Sequence, residues 1–107
     1  MSKNQNGPAR PTALVTGASG GIGYELARLI AQDGHNLVLV ARSQERLENA
    51  AETIEKESSA RVAVLAKDLA VAGSPAELHQ AIVETGVDID VLVNNAGFGL
   101  NGAFHEL

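Results

Sequence analysis

An α/β architecture, a parallel sheet doubly wound with helices on both faces, follows from three features of the sequence. Short apolar runs begin near residues 12, 36, 61 and 89, and segments of helical periodicity separate them. The run Asn36–Ala41 (NLVLVA) is continuously apolar, as a strand covered on both faces is. The core is aliphatic: one Tyr, two Phe and no Trp accompany a hydrophobic content of 45%, which suits a sheet buried beneath helices.

Met1–Pro11 is polar, holds two prolines and shows no periodicity, so it reads as a flexible leader. It has no apolar h-region and is not expected to be a signal peptide. Thr12–Thr16 is the first strand. Gly21–Asp33 is expected to be a helix with Ile22, Leu26, Leu29 and Ile30 on one apolar face, stopped by Gly34. Asn36–Ala41 is the second strand. Ser43 is placed to N-cap the helix Gln44–Ser58, whose Leu47, Ala50, Ala51 and Ile54 recur at helical spacing. Glu52 and Lys56 form a favourable i,i+4 pair on it.

Arg61–Ala66 is the third strand. Ser74-Pro75-Ala76-Glu77 is a capping box with proline at the first helical position, opening the helix Pro75–Thr85. Leu78, Ala81 and Ile82 supply its buried face, and Gly86 ends it. Asp90–Val93 is the fourth strand, closed by Asn94-Asn95-Ala96-Gly97, and the pattern fades after Phe98. Right-handed crossovers then put helices on both faces, and a ligand belongs at the carboxyl ends of the strands where strand order reverses.

Bulk composition narrows the function. A formal charge of −5 argues against nucleic acid, whose binding rests on Lys and Arg neutralising phosphates. Without cysteine there are no disulfides, thiolate metal sites or cysteine nucleophiles. His35, His79 and His105 fall on different elements with no pairing, so no metal site is expected. No run approaches the ~18 apolar residues that span a bilayer. No membrane partner is expected, and the cytoplasm is the default compartment.

The stretch Thr16-Gly17-Ala18-Ser19-Gly20-Gly21-Ile22-Gly23 joins the first strand to the first helix. Glycines there let backbone approach a ligand closely, while the helix start offers free N–H groups and a positive dipole end. The spacing is neither G-x-G-x-x-G nor a Walker A loop, because no Gly-Lys-Ser/Thr follows. It still marks a phosphate corner.

With Asn94-Asn95-Ala96-Gly97 at a later strand end, the Thr16-Gly17-x-x-x-Gly21-x-Gly23 pattern resembles the N-terminal half of the short-chain dehydrogenase/reductase family. The resemblance covers Thr12 to Leu107. It implies a Rossmann-type sheet, here incomplete at about four strands, with the loop backbone at Gly17, Ser19, Gly20, Gly21, Ile22 and Gly23 holding a dinucleotide. It places Ile22 under the nicotinamide end.

Arg42 selects the cofactor. NAD-using folds place an acid at the end of the second strand, ~20 residues beyond the loop, for the ribose 2′-OH. Ala41 stands there instead, followed by Arg42, whose guanidinium can hold a 2′-phosphate through two parallel hydrogen bonds. Ser19 and Ser43 can add hydroxyl donors. NADP(H) is the expected cofactor.

Asp68-Leu69 after the third strand read alone as a turn residue and its neighbour; the resemblance gives Asp68 the adenine amino group and Leu69 the ring edge. It sets Asn94–Gly97 beside the cofactor ribose, with Asn95 favoured for the ribose, Asn94 for the scaffold, and Ala96 and Gly97 small for close passage. Tyr24-x-x-x-Arg28 imitates the family's catalytic Tyr-x-x-x-Lys, but on the wrong element and with the wrong cation. The catalytic Ser, Tyr and Lys belong to the family's second half.

The sequence is therefore expected to be a truncated piece: residues 1–11 a leader, 12–107 the NADP(H)-binding part, without catalytic residues and inactive alone. Val91-Leu92-Val93, central in a complete sheet, would be an apolar edge here. The whole protein would exchange hydride with a small carbonyl/alcohol substrate as a homo-oligomer. The alternative is a non-catalytic dinucleotide-binding module acting as a sensor or in interactions.

Overall fold

The structure is a computed structural model and describes residues 10–67 and 74–95. Seven elements alternate along the chain: β1 (Thr12–Thr16), α1 (Gly21–Gln32), β2 (Asn36–Ala41), α2 (Gln44–Glu57), β3 (Val62–Ala66), α3 (Ser74–Thr85) and β4 (Val91–Val93). The strands form one parallel sheet in the order β3-β2-β1-β4. In register, Thr12 stands beside Asn36 and Thr16 beside Val40, while Ala13 stands beside Val91 on the other flank. This is the doubly wound sheet that the alternating apolar runs predict, of the Rossmann type that the family resemblance implies. The chain winds outward from β1 to β3 and then crosses to β4, so strand order reverses between β1 and β4.

Two apolar layers sandwich the sheet. On one face Ala13, Val15, Leu37 and Leu39 meet Ala27 and Ala31 of α1 and Leu47, Ala50 and Ile54 of α2. On the other, Leu14, Val38 and Val40 meet Leu78 and Ile82 of α3, with Ile89. Alternate residues of β1 and β2 point into opposite layers, which is why those strands read as unbroken apolar runs.

α1 corrects one expectation. Its packed face is Gly23, Ala27 and Ala31, with Tyr24 and Ile30 beside them. Ile22 and Leu29 are 73% and 60% exposed, and Leu26 is only half-buried. The reason is steric: residues at i, i+4 and i+8 share a face, and three small ones let the helix lie close to the sheet. The bulkier stripe starts one residue earlier and is therefore rotated by ~100° away from it.

The ends of the elements follow local chemistry. Ser43 accepts from the Arg46 N–H and caps α2, and Lys56 lies 3.5 Å from Glu52. Gly34 and Gly86 follow α1 and α3 at φ +104° and +75°, conformations that favour glycine. α3 begins at Ser74, one residue ahead of the expected Pro75. Arg10 is fastened to the end of α1: its guanidinium donates to the carbonyls of Ala31 (3.2 Å) and His35 (3.0 Å) and to Asn36 Oδ1 (3.2 Å). β4 pairs with β1 alone among the described residues, and its Val91 is 39% exposed. No helix of the described residues is long and apolar enough to cross a membrane.

Candidate cofactor-binding site

The carboxyl ends of β1, β2 and β4 meet at one rim. β1 ends on Thr16, fully buried, and the chain turns at Gly17, where φ is +64°. Ala18, also fully buried, donates its N–H to the Val40 carbonyl over 3.3 Å, which ties the loop to β2. Ser19 is half-buried and Gly20 exposed. Gly20 is the N-cap of α1 and provides no side-chain cap, and the first turn holds no acid. The helix start thus faces solvent with its dipole unopposed, the arrangement an anion requires.

The glycines of this loop have different duties. Gly21 adopts φ +61°, which a side chain would strain. Gly20 is extended, and a Cβ there would meet nothing within 4 Å. Gly23 is buried, and a Cβ on it would collide with the Gly17 carbonyl and lie 2.7 Å from Asn95 Nδ2. A close approach of backbone to ligand is the general reason for such glycines. At Gly23 the surface approached is the protein's own loop.

β2 delivers Arg42 and Ser43. Arg42 is exposed and has no hydrogen bond or ion pair among the described residues. The Ser43 oxygen is occupied as acceptor by the Arg46 N–H at 3.2 Å, leaving its hydroxyl proton to donate elsewhere. β4 delivers the two asparagines. Thr16 Oγ1 donates to Asn94 Oδ1 over 3.1 Å, so Asn94 binds strand to strand, while Asn95 Nδ2 reaches the Gly17 carbonyl at 3.5 Å. Asp68, Leu69, Ala96 and Gly97 lie outside the described residues.

Between the glycine loop and α2 runs an open groove of about 390 Å³, lined by Ser19, Gly20, Tyr24, Arg46, Asn49, Ala50 and Thr53. Its volume is in the range of small-ligand sites. Arg42 is not among the lining residues. The sequence reading missed Arg46, Asn49 and Thr53, which become site candidates only when α2 is set beside the loop. The usable signal was a cation in the first turn of a helix with no acid at i±3 or i±4. Behind the groove, Arg28 bridges Glu57 at 2.9 Å and Glu25 at 3.0 Å and lies 5.8 Å from the centre of the Tyr24 ring. The hydrogen bond to Glu57, more than any other contact, holds the Arg28 pKa above its ordinary value. Arg28 thereby joins α1 to α2, and Tyr24 packs against the core cluster to which both helices contribute.

Comparison with known proteins agrees with this architecture. The family described as short chain dehydrogenase matches residues 11–107. A fatty acyl-CoA reductase of Acinetobacter baylyi is 39% identical over 94 residues, 88% of this chain and 32% of its own length. Among solved structures, L-sorbose reductase of Gluconobacter frateurii, complexed with NADPH and L-sorbose, superposes with a TM-score of 0.76 at 35% identity, covering 85% of this chain and 35% of that one. An alcohol dehydrogenase of Thermococcus sibiricus complexed with 5-hydroxy-NADP gives 0.70 at 39% identity, covering 77% and 35%. The chain therefore spans about a third of the length of these relatives.

Proposed function

This chain belongs to the short-chain dehydrogenase family, and from that premise we propose that it is the NADP(H)-binding portion of an oxidoreductase that exchanges hydride between nicotinamide and a carbonyl/alcohol substrate. The observation that carries the cofactor assignment is Arg42. It follows the end of β2, where an NAD-using fold would place an acid, and its guanidinium is exposed and unpaired among the described residues. A 2′-phosphate meets a cation there instead of a repelling carboxylate.

The residues of the rim suit the rest of that ligand. The uncapped start of α1, without an acid in its first turn, is assigned the pyrophosphate. The exposed Ile22 is assigned to the nicotinamide end, and Asn95 to the ribose. Asn94 ties the end of β4 to the end of β1 through Thr16. The solved relatives that hold NADPH and 5-hydroxy-NADP lend the same direction of support.

When bound, the cofactor supplies the hydride. Reduction of a carbonyl also needs a proton donor at the substrate oxygen. We assign that donor, with the serine and lysine that accompany it in the family, to a catalytic half beyond these residues, so the 107-residue chain alone is expected to bind without turnover.

Titration of the chain with NADPH and NADH, followed by nicotinamide fluorescence, tests the proposal. NADPH is expected to bind tighter by about tenfold or more, equivalent to ~1.4 kcal/mol. Equal affinities would defeat the assignment.

A further inference from the structure

We infer that Arg46 is a second cation for the cofactor's 2′-phosphate, acting from the α2 wall of the groove and strengthening the choice of NADP(H) over NAD(H). The inference rests on the NADP(H) assignment made above for the same site.

The first ground is position. Arg46 lines the groove together with Ser19 and Gly20 of the phosphate loop. The space in front of Gly20 is open, since a Cβ there would meet nothing within 4 Å. An anion seated at the loop therefore has room beside it, and α2 faces that room with a guanidinium.

The second ground is that Arg46 has no structural duty. The described helices carry three Lys or Arg residues. Arg28 is paired with Glu25 and Glu57, and Lys56 with Glu52. Arg46 is exposed, and its side chain has no hydrogen bond or ion pair among the described residues. Within α2 its neighbours at i+3 and i+4 are Asn49 and Ala50, neither of them acidic.

The third ground is electrostatic. Arg46 is the third residue of α2, where the helix dipole disfavours a cation. Arg42, just ahead of the N-cap Ser43, adds a second cation near the same helix start. In the free protein this arrangement costs stability, and a doubly charged phosphate between loop and helix removes the cost. Glu45 in the same turn suits the dipole, but Arg46 itself has no acidic partner among the described residues, and a bound anion would supply one.

The experiment uses the adenosine end of the cofactor, so that no catalytic half is involved. Calorimetric titrations with 2′,5′-ADP and with 5′-AMP are made on the chain and on Arg46→Ala, Arg46→Lys and Arg42→Ala, with thermal unfolding of each. Arg46→Ala is expected to weaken 2′,5′-ADP by about five- to tenfold while 5′-AMP stays within about twofold, the size of a solvent-exposed charged hydrogen bond. Arg46→Lys keeps most of the affinity, and the Arg46→Ala melting temperature does not fall, because a cation leaves the helix start. The inference is overturned if Arg46→Ala leaves 2′,5′-ADP unchanged while Arg42→Ala weakens it, a result under which the NADP(H) assignment survives. It is equally overturned if Arg46→Ala weakens both ligands alike. If the unsubstituted chain fails to prefer 2′,5′-ADP, the NADP(H) assignment falls and this inference with it.

Discussion

The Thr16 hydroxyl donates to Asn94 Oδ1 across 3.1 Å, fastening the end of β1 to the end of β4 where strand order reverses. Thr16 is fully buried and Asn94 half-buried, so this bond is largely shielded from solvent. Thr16→Val keeps the shape and deletes the donor. It is expected to destabilise the fold by about 1 kcal/mol, the net worth of one partly buried hydrogen bond. Urea denaturation measures this, and an unchanged midpoint would refute it.

Gly23 and Gly20 are expected to respond oppositely to alanine. At Gly23 the new methyl collides with the Gly17 carbonyl and crowds Asn95 Nδ2, so the loop must shift. A loss of about 1–3 kcal/mol follows, as for other forced overpacking. Gly20→Ala meets open space in extended backbone, and its midpoint is expected to stay within about 0.5 kcal/mol, the range of ordinary surface substitutions. Denaturant midpoints for both variants, compared side by side, decide the matter.

Ser43 caps α2 through the Arg46 N–H at 3.2 Å. Ser43→Ala is expected to lower stability by about 1 kcal/mol, the usual cost of losing an N-cap. Ser43→Asp should restore the cap while placing a negative charge where the 2′-phosphate is proposed to sit. Recovered thermal stability with weakened NADPH binding is the expected pair of results.

Arg10 holds the carbonyls of Ala31 and His35, together with Asn36 Oδ1, through one guanidinium. Replacing it with alanine strips a partly buried cap from the end of α1, an expected loss of about 1–2 kcal/mol. Arg10→Lys recovers less than half of that, because an ammonium cannot reproduce the planar fork. Chemical denaturation of the two variants would show whether the fork geometry matters.

Much of this architecture was legible in the sequence, and the parts that were not share a cause. β1 and β2 declared themselves because strands covered on both faces need apolar residues at every position. The α2 cap at Ser43 and the stops at Gly34 and Gly86 were legible because caps and positive-φ turns depend on local chemistry. The packed face of α1 was not: hydrophobicity pointed to Ile22, Leu26 and Leu29, while the distance between helix and sheet selected Gly23, Ala27 and Ala31. Arg10 was hidden in a polar leader because its three acceptors come from the end of α1 and the start of β2. Arg46 was hidden for the same reason, since its place in the groove exists only once α2 lies beside the glycine loop. Local chemistry is written in neighbouring residues. Tertiary approach is not.

The central claim is that the rim selects a 2′-phosphate through Arg42. The measurement that tests it most directly is the ratio of NADPH to NADH affinity for the chain and for Arg42→Ala, by fluorescence titration. Arg42→Ala is expected to weaken NADPH by about 1.5–3 kcal/mol, the scale of a charged hydrogen bond, and to leave NADH nearly unchanged. Equal losses for the two cofactors would contradict it.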